Sequence, residues 1–108
     1  MIPDLLFSVP TPLGFTVRTT RQYWELILRK HPEITGLETE VQQALRQPES
    51  IRRSTQDRRV YLFYKFYKAM LPYHLTAVVK RLNGDGFVIT CYLTDKIKEG
   101  EQIWLTSA

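Results

Sequence analysis

"HLTAVVKRLNGDGFVITCYLT", residues 74–94, holds two runs rich in β-formers on either side of Asn83-Gly84-Asp85-Gly86. Asn and Gly adopt positive φ at little cost, so such a pair between two runs of this kind predicts a tight antiparallel hairpin. Strand alternation then sorts the side chains. Leu75, Ala77 and Val79 form one set with Phe87, Ile89, Cys91 and Leu93, which is the natural core face. Thr76, Val78 and Lys80 form the other with Val88, Thr90, Tyr92 and Thr94. Upstream, "SIRRS" (50–54) and "RVYLFYKFY" (59–67) read as further strands. Residues 50–94 are therefore expected to form a roughly four-stranded antiparallel sheet, with a tail over 95–108.

Before that sheet the hydrophobic period changes. Trp24, Ile27, Leu28 and His31 fall at helical spacing, and Thr19 with Gln22 makes a capping-box signature, which predicts a helix over 20–31. Pro32 disfavours α conformation at the residue before it, so the helix should end at His31. A second box, Thr35 with Glu38, precedes the stripe Leu37, Val41, Ala44 and Leu45, and Pro48 closes it. Residues 1–18 read as an extended hairpin around "PTPLG" (11–14 with its preceding proline). One domain over 1–108 is expected, of α+β class, with N-terminal helices (19–48) packed on one face of the sheet and the other face wet.

With 44% hydrophobic and 24% charged residues the chain can bury a core without staples. Cys91 is the only cysteine, which rules out an intramolecular disulfide and fits a reducing cytoplasm. The N-terminus carries Asp4 and meets Pro10 too early for a signal peptide, and no run reaches the roughly 20 apolar residues of a membrane span. A soluble cytoplasmic protein is expected.

The net charge of +4 is unevenly spread. Residues 50–82 hold Arg52, Arg53, Arg58, Arg59, Lys65, Lys68, Lys80 and Arg81 against Asp57 alone, so the rest of the chain is net acidic. Tyr61, Tyr64, Tyr67 and Tyr73 are interleaved with these cations. Cations pair with phosphates and aromatic rings stack on bases, so a single-stranded nucleic acid, RNA or DNA, is the expected partner, with Lys80, Lys65, Arg58, Arg59 and Tyr61 as its binding residues. The wet face would carry Thr90 and Tyr92, with Arg52 or Arg53 as the inward cation, since a one-residue slip exchanges the two arginines. An imidazole titrating near pH 6.5 can act there as acid or base, which gives His31 a role beyond ending a helix. His31, His74 and Cys91 lack the ligand spacing of a zinc site, and there is no phosphate-cradling glycine loop, so neither metal nor cofactor is called for.

The stretches "YWELILRKHPEI", "QPESIRRS" and "LTAVVKRLNGDGFVITCYLTDKIKEG" resemble, in that order, the barnase–EndoU–colicin–RelE-like nuclease superfamily over about residues 20–104. The likeness rests on His31-Pro32 at the first helix end and on Thr90-Cys91-Tyr92 in the last sheet strand. It implies helices against a four-stranded sheet whose open face binds RNA, and metal-independent transesterification leaving a 2′,3′-cyclic phosphate. Carried over by position, His31 matches the helix-end base or acid, Arg52 or Arg53 the first-strand cation, and Thr90 and Tyr92 the hydroxyl pair. Lys80 rests on strand geometry alone. The resemblance further implies a toxin with an antitoxin or immunity protein as partner, and it leaves open a non-catalytic RNA- or protein-binding module on the same fold.

Overall fold

The structure is a computed structural model that describes residues 4–97 and 100–106. The elements in chain order are β1 (Leu5–Pro10), β2 (Thr16–Thr20), α1 (Arg21–Lys30), a 3₁₀ turn (Pro32–Ile34), α2 (Glu38–Arg46) and β3 (Ser50–Arg53). They are followed by β4 (Val60–Phe66), a 3₁₀ turn (Lys68–Met70), β5 (His74–Leu82), β6 (Asp85–Thr94) and β7 (Glu101–Leu105). The class is α+β, but the sheet has seven strands in the order β1-β2-β6-β5-β4-β3-β7, not four. The helices lie mid-chain, after the β1–β2 hairpin, not at the N-terminus.

The two hairpins form for local reasons. Asn83 and Gly84, with φ of 54° and 90°, turn β5 into β6. In the first hairpin the Thr11 hydroxyl donates to the Phe15 carbonyl at 2.9 Å, and Gly14 takes φ 89°. What joins them is long-range. β2 runs parallel to β6 through Val17 opposite Gly86 and Arg18 opposite Phe87, and then leaves to begin α1. A Cβ on Gly86 would lie 2.9 Å from Val79 Cγ1 and 3.0 Å from Phe15 Cε2, so this close approach needs glycine. The tail, expected outside the sheet, supplies β7, which pairs with β3 through Ser50 opposite Leu105 and Ile51 opposite Trp104.

Caps differ from expectation in small ways. Thr20, not Thr19, accepts the Tyr23 N–H at 3.1 Å, because Thr19 is still on the inward side of β2 and is buried. Thr35 does not cap α2; its hydroxyl donates to the Pro32 carbonyl at 2.7 Å inside the 3₁₀ turn. Gly36, at φ 81°, then redirects the chain, and α2 starts at Glu38.

Trp24, Ile27, Ile34, Val41, Ala44 and Leu45 bury themselves against Phe7, Val9, Val17, Ile51, Phe63, Leu75, Ala77 and Cys91 in a single core. Each of the Val, Leu, Ile and Phe side chains among them contributes about 1.5–3 kcal/mol by burial. Cys91 faces this core as expected. A bulge at Ile89 shifts the rest of its strand, so Val88, not Phe87, shares the core side with Val79. Among the described residues no helix is long and apolar enough to cross a membrane.

Candidate functional site

α1 lies beside β6 beyond the point where β2 departs, held by the Tyr23 hydroxyl donating to the Ile89 carbonyl at 2.9 Å. The helix ends on His31, whose backbone N–H donates to the Ile27 carbonyl at 2.8 Å while ψ of 69° takes the chain out of helical geometry. Pro32 then opens the 3₁₀ turn, which brings Glu33 back under the imidazole. Glu33 Oε2 lies 3.2 Å from His31 Nδ1. A carboxylate can only accept, so Nδ1 carries the proton and Nε2 is left as the basic nitrogen.

The imidazole is half-buried and tilted at 38° against the Tyr92 ring, with centroids 5.9 Å apart. It lines a groove of about 620 Å³ together with Tyr23, Arg29, Lys30 and Thr90. Arg29 and Lys30 stand in the last turn of α1, where the helix dipole favours cations, and both are exposed. Thr90 reaches the groove because it follows the Ile89 bulge, and bulges re-aim the side chains next to them.

Sheet register decides the remaining candidates. Arg52, Leu62, Val78 and Thr90 form one row across β3, β4, β5 and β6, so Arg52 and not Arg53 shares Thr90's face. Three strand spacings still separate Arg52 from Thr90, about 14 Å, and its guanidinium donates to the Gly100 carbonyl at 2.6 Å. Arg53 points to the helix side, where it donates to the Tyr61 hydroxyl at 3.1 Å and lies 5.2 Å from that ring's centroid. Tyr61 is itself buried on that side against Phe15. It cannot stack on a base.

The expected RNA-binding cations do not gather around His31. Lys65 also points to the helix side, donating to the Gln47 carbonyl at 2.7 Å and to Glu49 at 3.3 Å. Lys80 shares the Thr90 face but pairs with Asp57 at 3.0 Å, four residues along β5 from the Tyr92 row and hence about 13 Å away. Arg58 and Arg59 are exposed in the β3–β4 loop. The Arg59 N–H bonds Asp57 Oδ1 at 3.0 Å, and this bond, followed by Lys80, holds the Asp57 carboxyl below its ordinary value. The wet face is also less open than expected, since Leu62, Tyr64 and Thr76 on it are buried.

The structure thus brings together His31, Thr90 and Tyr92, and it adds Tyr23, Arg29, Lys30 and Glu33. Arg29, Lys30 and Glu33 flank His31 directly in "LRKHPE", and that adjacency was the available signal. Among the described residues no three His, Cys, Asp or Glu side chains group as metal ligands. Comparisons with protein-family models, curated proteins and solved structures found no match.

Proposed function

We propose that this chain is a metal-independent endoribonuclease that acts on single-stranded RNA in the groove between α1 and β6. The observation that carries the reading is the Glu33–His31 pair facing Thr90, with Arg29 and Lys30 in the same groove. His31 Nε2 takes the proton from a 2′-hydroxyl, and the 2′-oxygen attacks the adjacent phosphorus. The bond from phosphorus to the 5′-oxygen breaks, that oxygen takes a proton from solvent in the open groove, and a 2′,3′-cyclic phosphate remains. Arg29 and Lys30 oppose the charge that grows on the phosphorane, and the Thr90 hydroxyl donates to a non-bridging oxygen. A toxin role in the cytoplasm, restrained by an acidic antitoxin or immunity protein, belongs to the same proposal.

The test is cleavage of a single-stranded RNA in EDTA, with the product ends identified by mass. Cyclic phosphate ends are expected, and a wild-type protein that leaves RNA intact overturns the reading. The second reading is a module that binds RNA without cutting it. It is favoured by the commitment of Lys80 to Asp57 and of Arg52 to Gly100, which leaves the reacting phosphate to the cations of α1. That reading expects salt-dependent binding and no new ends.

A further inference from the structure

On the side that borders the His31 groove, α1 departs from the pattern of a solvated helix face. It exposes seven side chains, of which Arg21, Gln22, Glu25, Arg29 and Lys30 are polar or charged, as solvation favours. The two exceptions are Tyr23 and Leu26, 37% and 49% exposed. Both line the groove that holds His31, Arg29, Lys30 and Thr90. Leu26 follows Tyr23 by three residues, and Lys30 follows Leu26 by four. A phenol ring, an aliphatic chain and an ammonium therefore succeed one another along one wall in steps of about 4.5 and 6 Å.

The ring is held in place before any ligand arrives. Its hydroxyl donates to the Ile89 carbonyl at 2.9 Å, which keeps the side chain from swinging away from β6. Besides the His31 groove, Tyr23 lines a smaller cavity of about 200 Å³ with Arg18 and Phe87, so open space borders it in both directions along the seam. A fixed π-face, an apolar neighbour and a cation in that order match the base, the sugar and the phosphate of one nucleotide. An apolar peptide would instead set Arg29 and Lys30 against groups that accept nothing from them. The Tyr23 hydroxyl proton is committed to Ile89 and Leu26 has no polar group, so the pair reads a base by its face and not by its edge.

We propose that Tyr23 and Leu26 form a stacking subsite for a nucleobase next to the phosphate held at His31, Arg29 and Lys30. The proposal rests on the RNA reading above and deepens it. A base inside a duplex has its faces covered by its neighbours, so the subsite takes unpaired RNA, and it discriminates little between one base and another.

The first probe is a fluorescein-labelled 2′-O-methyl RNA, which has no free 2′-hydroxyl and so cannot be cut. Its anisotropy should show affinity falling by about 5- to 150-fold in Tyr23→Leu, the worth of one base–aromatic stack. Tyr23→Phe restores the ring without the hydroxyl and should recover most of that loss. The salt slope should stay the same in both variants, since no phosphate contact is lost. The second probe carries a single ribonucleotide, so the cut itself fixes the register. Removing one of the bases beside the cut should lower kcat/KM in the wild type and not in Tyr23→Leu, because both changes delete the same stack. Exchanging that base for another should matter less than removing it. A Tyr23→Phe variant as weak as Tyr23→Leu would reduce Tyr23 to a pin for α1 and overturns the subsite. Equal affinity of Tyr23→Leu and wild type overturns it too, and in both cases cleavage at His31 stands. If Tyr23→Leu binds weakly but the wild type cuts nothing, the ribonuclease reading fails and the subsite holds. A wild type that binds no RNA overturns both.

Discussion

At one end of the sheet Lys80 and Arg59 close on Asp57, at 3.0 and 3.7 Å, and an Asp57 oxygen also accepts the Arg59 backbone N–H. At the other end Arg29 and Lys30 stand exposed beside an imidazole oriented by Glu33. The first end carries more positive charge in the sequence, and two of its cations, Lys80 and Arg59, are drawn to Asp57 in shaping the β3–β4 loop, with Arg58 exposed beside them. The second carries less but presents it to a groove with a titratable ring and a hydroxyl. Density of charge along the chain is therefore a poor guide to where a polyanion would sit. What counts is also which chemistry lies beside the charge.

The sharpest way to break this comparison is to disable each end in turn. His31→Gln should lower the cleavage rate by about 10²- to 10⁴-fold, the usual worth of a positioned acid or base, without a matching fall in melting temperature. Glu33→Gln should lower it less and should add nothing in the His31→Gln background, because both act through one ring. Lys80→Ala should leave the rate unchanged. A rate that follows Lys80 and ignores His31 would move the chemistry to the other end.

The next effect is on binding. Arg29→Ala with Lys30→Ala should reduce the slope of log affinity against log salt by about 1.4, at about 0.7 per phosphate contact on a single strand. Arg58→Ala with Arg59→Ala should leave it nearly unchanged. The opposite result would place the strand over the β3–β4 loop.

Two smaller effects sharpen the view of the Asp57 end as scaffold. Gly86→Ala brings a methyl against Val79 and Phe15 and should cost about 1–3 kcal/mol by overpacking, read as a lowered denaturation midpoint with cleavage intact. Asp57→Asn should lower the melting temperature slightly at neutral pH. A carboxyl whose folded value is depressed stabilises the fold above its unfolded value and loses that contribution as pH falls through the folded one. The gap between Asp57→Asn and wild type should thus close below about pH 4. A gap that persists in acid would mean that Asp57 acts by shape and not by charge.

Much of the fold was legible because its signals are local. The turn at Asn83-Gly84, the apolar stripe Trp24–Ile27, and Pro32 after His31 each announce themselves within a few residues. β7 and the place of the β1–β2 hairpin were not legible. Val17 meets Gly86 and Ile51 meets Trp104 across long stretches of chain, and nothing near any of these residues marks the pairing. The site divides in the same way. His31, Thr90 and Tyr92 could be proposed from a helix end and a strand period. Assigning Tyr61, Lys65 and Arg53 to the helix side required the ladder register, where a shift of one residue exchanges the faces. The separation of Arg52 and Lys80 from His31 comes from the width and length of the sheet, which no short motif records.

α1 takes the place beside β6 that a strand would otherwise fill. A strand there would be tied by a ladder of backbone bonds and could part from β6 only by unzipping. The helix is fastened through side-chain packing and the Tyr23 hydroxyl on the Ile89 carbonyl. That hydroxyl pins the first turn, while the last turn is held by Ile27, which is buried in the core. In mechanical terms this flank of β6 is a seam fastened by side chains, which yields before the backbone ladder on its other flank does. Amide exchange should be faster in the last turn of α1 than in β5 and β6.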